Sequence, residues 1–471
     1  MANRQRISSR NARQTLRLGG VCAAAVFLLA SCATEASPSV QSPKHAQAPT
    51  VSLAATVILQ PATQSNELAG PISVEAAIER ATRCSPEVIA LRAAVEVAKQ
   101  RKSAASDIPD PEGIMTWGKV QNDFEDLGDE GKGNDGFRMG ARFYIPNPFL
   151  MMPKVNAGSA DYHAEMASLQ AAKWLVESEV RRLYAEISYL AEDVGLTVEL
   201  AHQYDLILQD ERAREGQGAT TASEIVSAVH RELQAQNDLD QAHFRWQTAQ
   251  RELAGMLDLD LTATSLQLAT NNHGFHPHSG SAIVSDQMEQ IALQHRNDLV
   301  ALHWRTLAAK SVYVEARNVR VPWVKDVEFT RRESDAEWWL GIGINVPLFS
   351  WTINNADGVQ RAELSLAEAN EFNGRQAMRR QIRDAVDEFE VQRRQQERNE
   401  KDVTPLLSEM EQTLELLKRT TNVMPSQIAE TEAQIDESLR LKLESDWLYQ
   451  HAGLNLERAV GAPLSTALNG N

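Results

Sequence analysis

Three histidines stand close together in "HGFHPH", His273, His276 and His278, and clustered imidazoles can bind copper or zinc. This spacing supplies at most three ligands on one loop, with no partner group in view to orient each ring, so no functional metal site is expected there. The acidic, glycine-rich "DFEDLGDEGKGNDG" suggests calcium but lacks the full spacing of an EF-hand loop, and reads instead as an exposed connection. Phosphate-loop, dinucleotide and paired zinc-cysteine motifs are absent, as is any recognisable nucleophile setting. Neither an enzyme nor a bound cofactor is therefore expected. The remaining thiol and guanidinium chemistry, at Cys32, Arg138 and Arg142, takes its meaning from the elements around it.

Cys32 follows a basic segment holding Arg4, Arg6, Arg10, Arg13 and Arg17 and the short apolar run "GGVCAAAVFLLA". Together these read as an export signal over 1–31, too short and wrongly flanked for a spanning helix. "LASC" resembles a bacterial lipoprotein box, in which cleavage precedes the cysteine and lipid is added to its thiol. Ala33 stands where an aspartate tends to retain such proteins at the inner membrane, so outer-membrane delivery is the expectation. The chain carries a net charge of −17, and loss of the five signal arginines makes the remainder more acidic still, which argues against a nucleic-acid partner. With Cys22 removed and Cys32 lipidated, Cys84 is left alone, so stability must come from packing or assembly and not from an internal disulfide.

Residues 32–70, rich in Ser, Pro, Ala, Gln and Thr, read as a flexible tether. Beyond it the sequence repeats itself. "PEVIALRAAVEVA" from Pro86 is echoed by "NDLVALHWRTLAA" from Asn297, "GARFYIPNPF" from Gly140 by "GIGINVPLFS" from Gly341, and "RELAGMLDL" by "LERAVGAPL". Three echoes in one order imply two copies of one unit, 71–260 and 285–465, joined by a link over 261–284 and followed by a tail over 466–471. Each copy reads as helix, hairpin, long helix, turn, helix. In copy one the long helix is expected from about Pro153 to Arg214, on a seam of Leu169, Ala172, Val176, Val180, Leu183, Ile187, Leu190 and Val194 at coiled-coil spacing. In copy two it is expected from about Ile353 to Thr420, with seam residues Ile382, Val386, Phe389, Val403, Leu407, Met410, Leu414 and Leu417, and a kink or break at Pro405.

The hairpins alternate with period two. In "FRMGARFYI", Phe137, Met139, Ala141, Phe143 and Ile145 share one face, and Arg138, Gly140, Arg142 and Tyr144 the other. In "WWLGIGINV", Trp338, Leu340, Ile342, Ile344 and Val346 oppose Trp339, Gly341, Gly343 and Asn345. The partner strand "WVKDVEFTRR" is less tidy, placing Trp323, Val327 and Phe329 outward together with Lys325. Strands are expected at about 113–122, 136–145, 323–332 and 337–346. Nine residues at about 3.3 Å, tilted about 40°, rise roughly 23 Å, close to the ~25 Å apolar band of outer-membrane barrels. Four strands cannot close a cylinder and an open edge is untenable in lipid, so several chains must share one barrel. Arg138 and Arg142 would line its bore, either biasing traffic or pairing with Asp326 or Glu328.

In its lipobox, duplicated plan, "PDP" before the first hairpin, "GIGINVPLF" and terminal "LERAVGAPL", the sequence resembles the TolC-type outer-membrane efflux proteins, over almost all of the mature chain. The resemblance implies a mainly α fold with a small β part: a homotrimer whose twelve-strand barrel continues into a helical periplasmic barrel. It further implies a closed tip opened by an inner-membrane pump and periplasmic adaptor, exporting small molecules or metal ions. Carried over by position, the tip turns fall at "REGQGATTASEI", with Gly216 and Gly218, and at "RTTNVMPSQI", where Asn422 and Pro425 stand and the usual glycine is missing. Glu215, Glu224 and Glu430 are candidate gate acids. "IPDPEGIMTWGKV" most resembles the metal-exporting branch, although Met151 and Met152 nearby read as packing or membrane-edge residues. Two alternatives compete with this reading: a periplasmic coiled-coil lipoprotein scaffold without a pore, and a metal carrier using the histidine loop.

Overall fold

The computed structural model describes residues 71–120, 134–259, 268–269, 284–332, 338–346, 351–420 and 423–465. Cys32, the tether, the three loop histidines and Asn422 lie outside them.

The duplication is visible in element lengths. Copy one runs α1 (Val74–Cys84), α2 (Pro86–Ala105), β1 (Glu112–Val120), β2 (Asn134–Tyr144), α3 (Pro148–Glu215) and α4 (Ala222–Met256); copy two runs α5 (Ser285–His295), α6 (Asn297–Asn318), β3 (Trp323–Arg332), β4 (Trp338–Asn345), α7 (Trp351–Arg419) and α8 (Pro425–Val460). The long helices have 68 and 69 residues, their successors 35 and 36, and the leading helices 11 each. Two helices precede each hairpin, where the sequence reading had one. The chain turns extended at Ser85, whose ψ is 121° just before Pro86, and at Arg296, whose ψ is 99°. Such a backbone cannot continue the preceding helix.

Local chemistry sets several helix ends. The Ser73 hydroxyl accepts from the Ala76 N–H at 3.3 Å, the Asn147 side chain accepts from Phe149 at 2.9 Å, and Thr221 with Glu224 forms a reciprocal capping box. Gly461 ends α8 in the left-handed region at φ 83°, against the side chain of Arg296.

Two prolines lie inside long helices. Pro153, expected at the start of α3, is one turn into it; the Phe149 carbonyl that its missing N–H would have engaged accepts instead from the Asn318 amide at 2.8 Å. Pro405, where a kink or break was expected, lies within a continuous α7. Lys401, Asp402, Thr404 and Pro405 itself are exposed, so water can solvate the carbonyl of Lys401 that loses its partner.

α3 is the axis of the chain. α2 and α4 pack on one flank, α6 and α8 on the other, and α7 lies beyond α6 and α8. Two cores mark the middle of the long helices: Val176, Val180, Leu183 and Ile187 close against Leu253 and Leu257, and Met378, Ile382, Val386 and Phe389 against Leu456 and Val460. Tyr184 fastens this level by donating its hydroxyl to the carbonyls of Ile72 and Ala269 at 3.0 and 2.6 Å. The expected seam is buried from Leu169 to Leu190, but its next position is taken by Asp193 and not Val194. In copy two Leu407 is buried while Val403, Met410, Leu414 and Leu417 remain half-exposed. Among the described residues no helix is long and apolar enough to cross a membrane.

Candidate functional site

The four strands form one antiparallel sheet in chain order, β1-β2-β3-β4. Its register gathers the sequence's two stripes into two surfaces, because residues paired across antiparallel strands share a face. On the first, Phe143, Val327 and Ile342 line up, as do Ala141, Phe329 and Leu340, then Met139, Arg331 and Trp338. No helix packs extensively over it among the described residues, and Leu340, Ile342 and Ile344 are 70%, 61% and 63% exposed.

β3 carries a bulge at Lys325 between Val324 and Asp326. The extra residue moves everything before it to the opposite face, so Val324 pairs with apolar Ile344 and Trp323 with Asn345. Trp323, expected on the apolar face, is therefore on the other, where its indole donates to the Ile145 carbonyl at 3.2 Å and meets Phe149 edge-on.

The polar surface is built around one row, Glu112, Arg142, Glu328 and Gly341, running through all four strands. Arg142 reaches Glu328 at 2.9 Å and Glu112 at 3.6 Å, so one guanidinium joins the two hairpins. The glycines of "GIGIN" explain themselves here. A Cβ at Gly343 would come within 2.5 Å of an Asp326 carboxylate oxygen, and one at Gly341 would touch the Cβ of Glu328 at 3.6 Å. β4 thus forms a bare shelf over which the carboxylates of β3 can lie. Gly140 similarly clears the Phe329 carbonyl and Thr330 on β3. Arg138, nearer the hairpin turns, lies over the Trp339 ring at 5.9 Å.

At the far end of the helices, Gly216 caps α3 in right-handed backbone and Gly218 supplies the one left-handed step of the turn, at φ 69°. Pro425 occupies the first turn of α8, where its missing donor has no cost. Glu224 is held by the Thr221 N–H and by the hydroxyls of Thr220 and Thr221, which bring its carboxyl down to about 2. Glu430 pairs with Arg231 at 3.2 Å, and among the described residues Glu215 makes no ion pair.

Sequence reasoning missed a ladder along α8. Arg440 donates to Asp193 of α3 at 2.6 Å and approaches Asp238 of α4 at 4.0 Å; Tyr204 of α3 donates to Glu437 at 2.7 Å. These groups line a cavity of about 620 Å³ in the trough between α4 and α8. Asp193 is 2% exposed. One aspartate on a helix resembles any solvated acid; the only signal was that it interrupts the apolar seam one residue before Val194.

No protein-family model matches the sequence, and no curated protein does. Solved structures do. The outer membrane protein VceC from Vibrio cholerae aligns with a TM-score of 0.62 at 16% identity, over 83% of this chain and 96% of that one. The Campylobacter jejuni CmeC outer membrane channel gives 0.64 at 14% over 82% and 85%. The open state of the Neisseria gonorrhoeae MtrE outer membrane channel gives 0.62 at 14% over 83% and 89%. This is the outer-membrane channel fold. The sequence resemblance implied this fold.

Proposed function

We propose that this chain is the outer-membrane duct of a tripartite efflux system, a passive channel and not an enzyme. The observation that carries the proposal is the sheet, which among the described residues has four strands, an apolar face without a helix over it, a charged face opposite, and free edges at β1 and β4. In water that surface invites aggregation; in lipid it is satisfied once the edges close on neighbours.

Closure by copies of the same chain follows the helix order. Among the described residues the far side of α7 and the far sides of α2 and α4 are open, and both edges carry exposed apolar residues: Leu366, Phe372 and Leu416 on α7, Val226, Leu233 and Phe244 on α4. Seating one edge on the other continues the sheet from β4 to the next chain's β1. Two chains give eight strands, a bore filled by side chains; three give twelve and leave room for water around Arg138 and Arg142. Three is therefore the proposed number. The long helices extend about 100 Å at 1.5 Å per residue, enough to carry the duct through the periplasm to an adaptor and inner-membrane pump. A lipid on Cys32 would hold each chain at the outer membrane. The cargo proposed is small molecules or metal ions handed over by the pump.

The scaffold alternative has no use for an alternating apolar sheet. Single-channel recording of the purified protein in planar bilayers separates the two: discrete conductance steps support the duct, whereas protein that extracts without detergent and never conducts defeats it.

A further inference from the structure

Arg331 lies on the wrong surface for a charge. Its register partners, Met139 on β2 and Trp338 on β4, belong to the apolar face, and Arg331 is exposed there without a carboxylate partner among the described residues. Its guanidinium lies over the Trp338 ring at 5.2 Å, and Trp338 in turn stacks on Phe329 at 4.6 Å. This contact is the outward counterpart of Arg138 over Trp339 on the opposite face.

Height gives the cation its meaning. Arg331 is eight positions beyond Trp323, which marks the end of the sheet nearest the helices. The bulge at Lys325 leaves seven register steps between them, which at about 3.3 Å each and a tilt near 40° is roughly 18 Å of rise, towards the upper border of a ~25 Å apolar band. α3 and α7 leave from the other end, after β2 and β4, so the Arg331 end faces away from the periplasm. An exposed guanidinium at that border is costly in hydrocarbon and favourable against a phosphate oxygen. Stacking on an indole fixes its plane and leaves N–H edges free, suiting bidentate phosphate recognition.

The geometry points to a binding site for a phosphorylated glycolipid of the outer leaflet, held by Arg331 through its phosphate and by Trp338 and Phe329 along its acyl chains. The inference rests on the barrel reading above and adds a ligand to its outer surface.

The test uses full-length protein in detergent, with native mass spectrometry reading retained lipid. The probes are bisphosphorylated lipid A, the same lipid with its phosphates removed, and phosphatidylglycerol. Wild type should retain the bisphosphorylated form preferentially. Arg331→Gln should weaken retention roughly tenfold, as for a lost charge-assisted hydrogen bond, and Arg331→Lys should fall between. Equal retention by Arg331→Gln and wild type would overturn the site, as would phosphatidylglycerol binding as well as the phosphorylated glycolipid. Liposome insertion is measured in parallel. Wild type that does not insert removes the barrel reading and this site with it; normal insertion with no effect of Arg331→Gln removes only the site.

Discussion

α3 and α7 are the same helix written twice, of 68 and 69 residues, yet they live in different surroundings. Buried positions follow α3 from Pro153 to Leu208, whereas on α7 they are Met378, Ile382, Ala385, Val386, Phe389 and, well below, Leu407. α3 has neighbours on both flanks and α7 on one. A duplicated unit folded side by side leaves one copy's outer flank open among the described residues, and this is the flank on which the proposed assembly would close. Duplication thus buries much more of α3 than of α7 within the chain.

Charge placed on each helix breaks this comparison most forcefully. Leu183 of α3 is fully buried, so Leu183→Asp should cost about 4 kcal/mol or more and abolish folding, read as lost helical circular dichroism. Phe372 of α7 is 62% exposed, so Phe372→Asp should leave the helices formed and reduce the oligomer, read by light scattering in detergent. Equal damage from both would show that α7 is not an open edge.

The sheet offers the next largest effect. Gly140→Val should prevent the two hairpins from pairing, because its Cβ would meet the Phe329 carbonyl at 2.2 Å with only backbone to yield. Gly113 has open space around it, and Gly113→Ala should be silent. Heat-resistant oligomer on gels reads both.

These contrasts also show what the sequence could express. Alternation in "FRMGARFYI" and "WWLGIGINV" was legible because a strand's period is local, and the long helices because their seams persist over many turns. The bulge at Lys325 was not legible, since register belongs to a pair of strands and nothing in "WVKDVEF" alone says where it slips. Of the kink or break expected at Pro405, no break occurs: the exposed carbonyl of Lys401 can turn to water, which lowers the cost of the lost hydrogen bond. Arg142 was readable as a partner of Glu328, but its reach to Glu112 depends on which residues the sheet sets side by side.

A subtler contrast lies between buried and exposed ties on the α8 ladder. Arg440→Ala leaves Asp193 buried without its donor and should destabilise the chain by about 2–3 kcal/mol. Arg231→Ala removes a half-exposed partner of Glu430 and should cost about 0.5 kcal/mol or less. Urea midpoints of the two variants measure the difference.

The smallest effect concerns two acids of opposite temper. Glu224, on the capping turn of α4, has its carboxyl brought down to about 2, so its contribution is present above the ordinary glutamate range and is lost as the pH falls through that value. Asp436, half-buried on α8 near Glu199 and Glu432, is pushed up to about 6, first by burial and then by those two charges. Its protonated form suits the fold, so this contribution is complete below the ordinary aspartate value of 3.8 and disappears as the pH rises through 6. At neutral pH the ionised carboxylate opposes packing between α8 and α3. Asp436→Asn should therefore stabilise by about 1 kcal/mol at pH 7.5, an amount discounted for the solvent that still reaches the group, and by almost nothing at pH 3.5. Thermal midpoints at the two pH values measure it. A gain that does not change with pH would mean that lost repulsion is not its source.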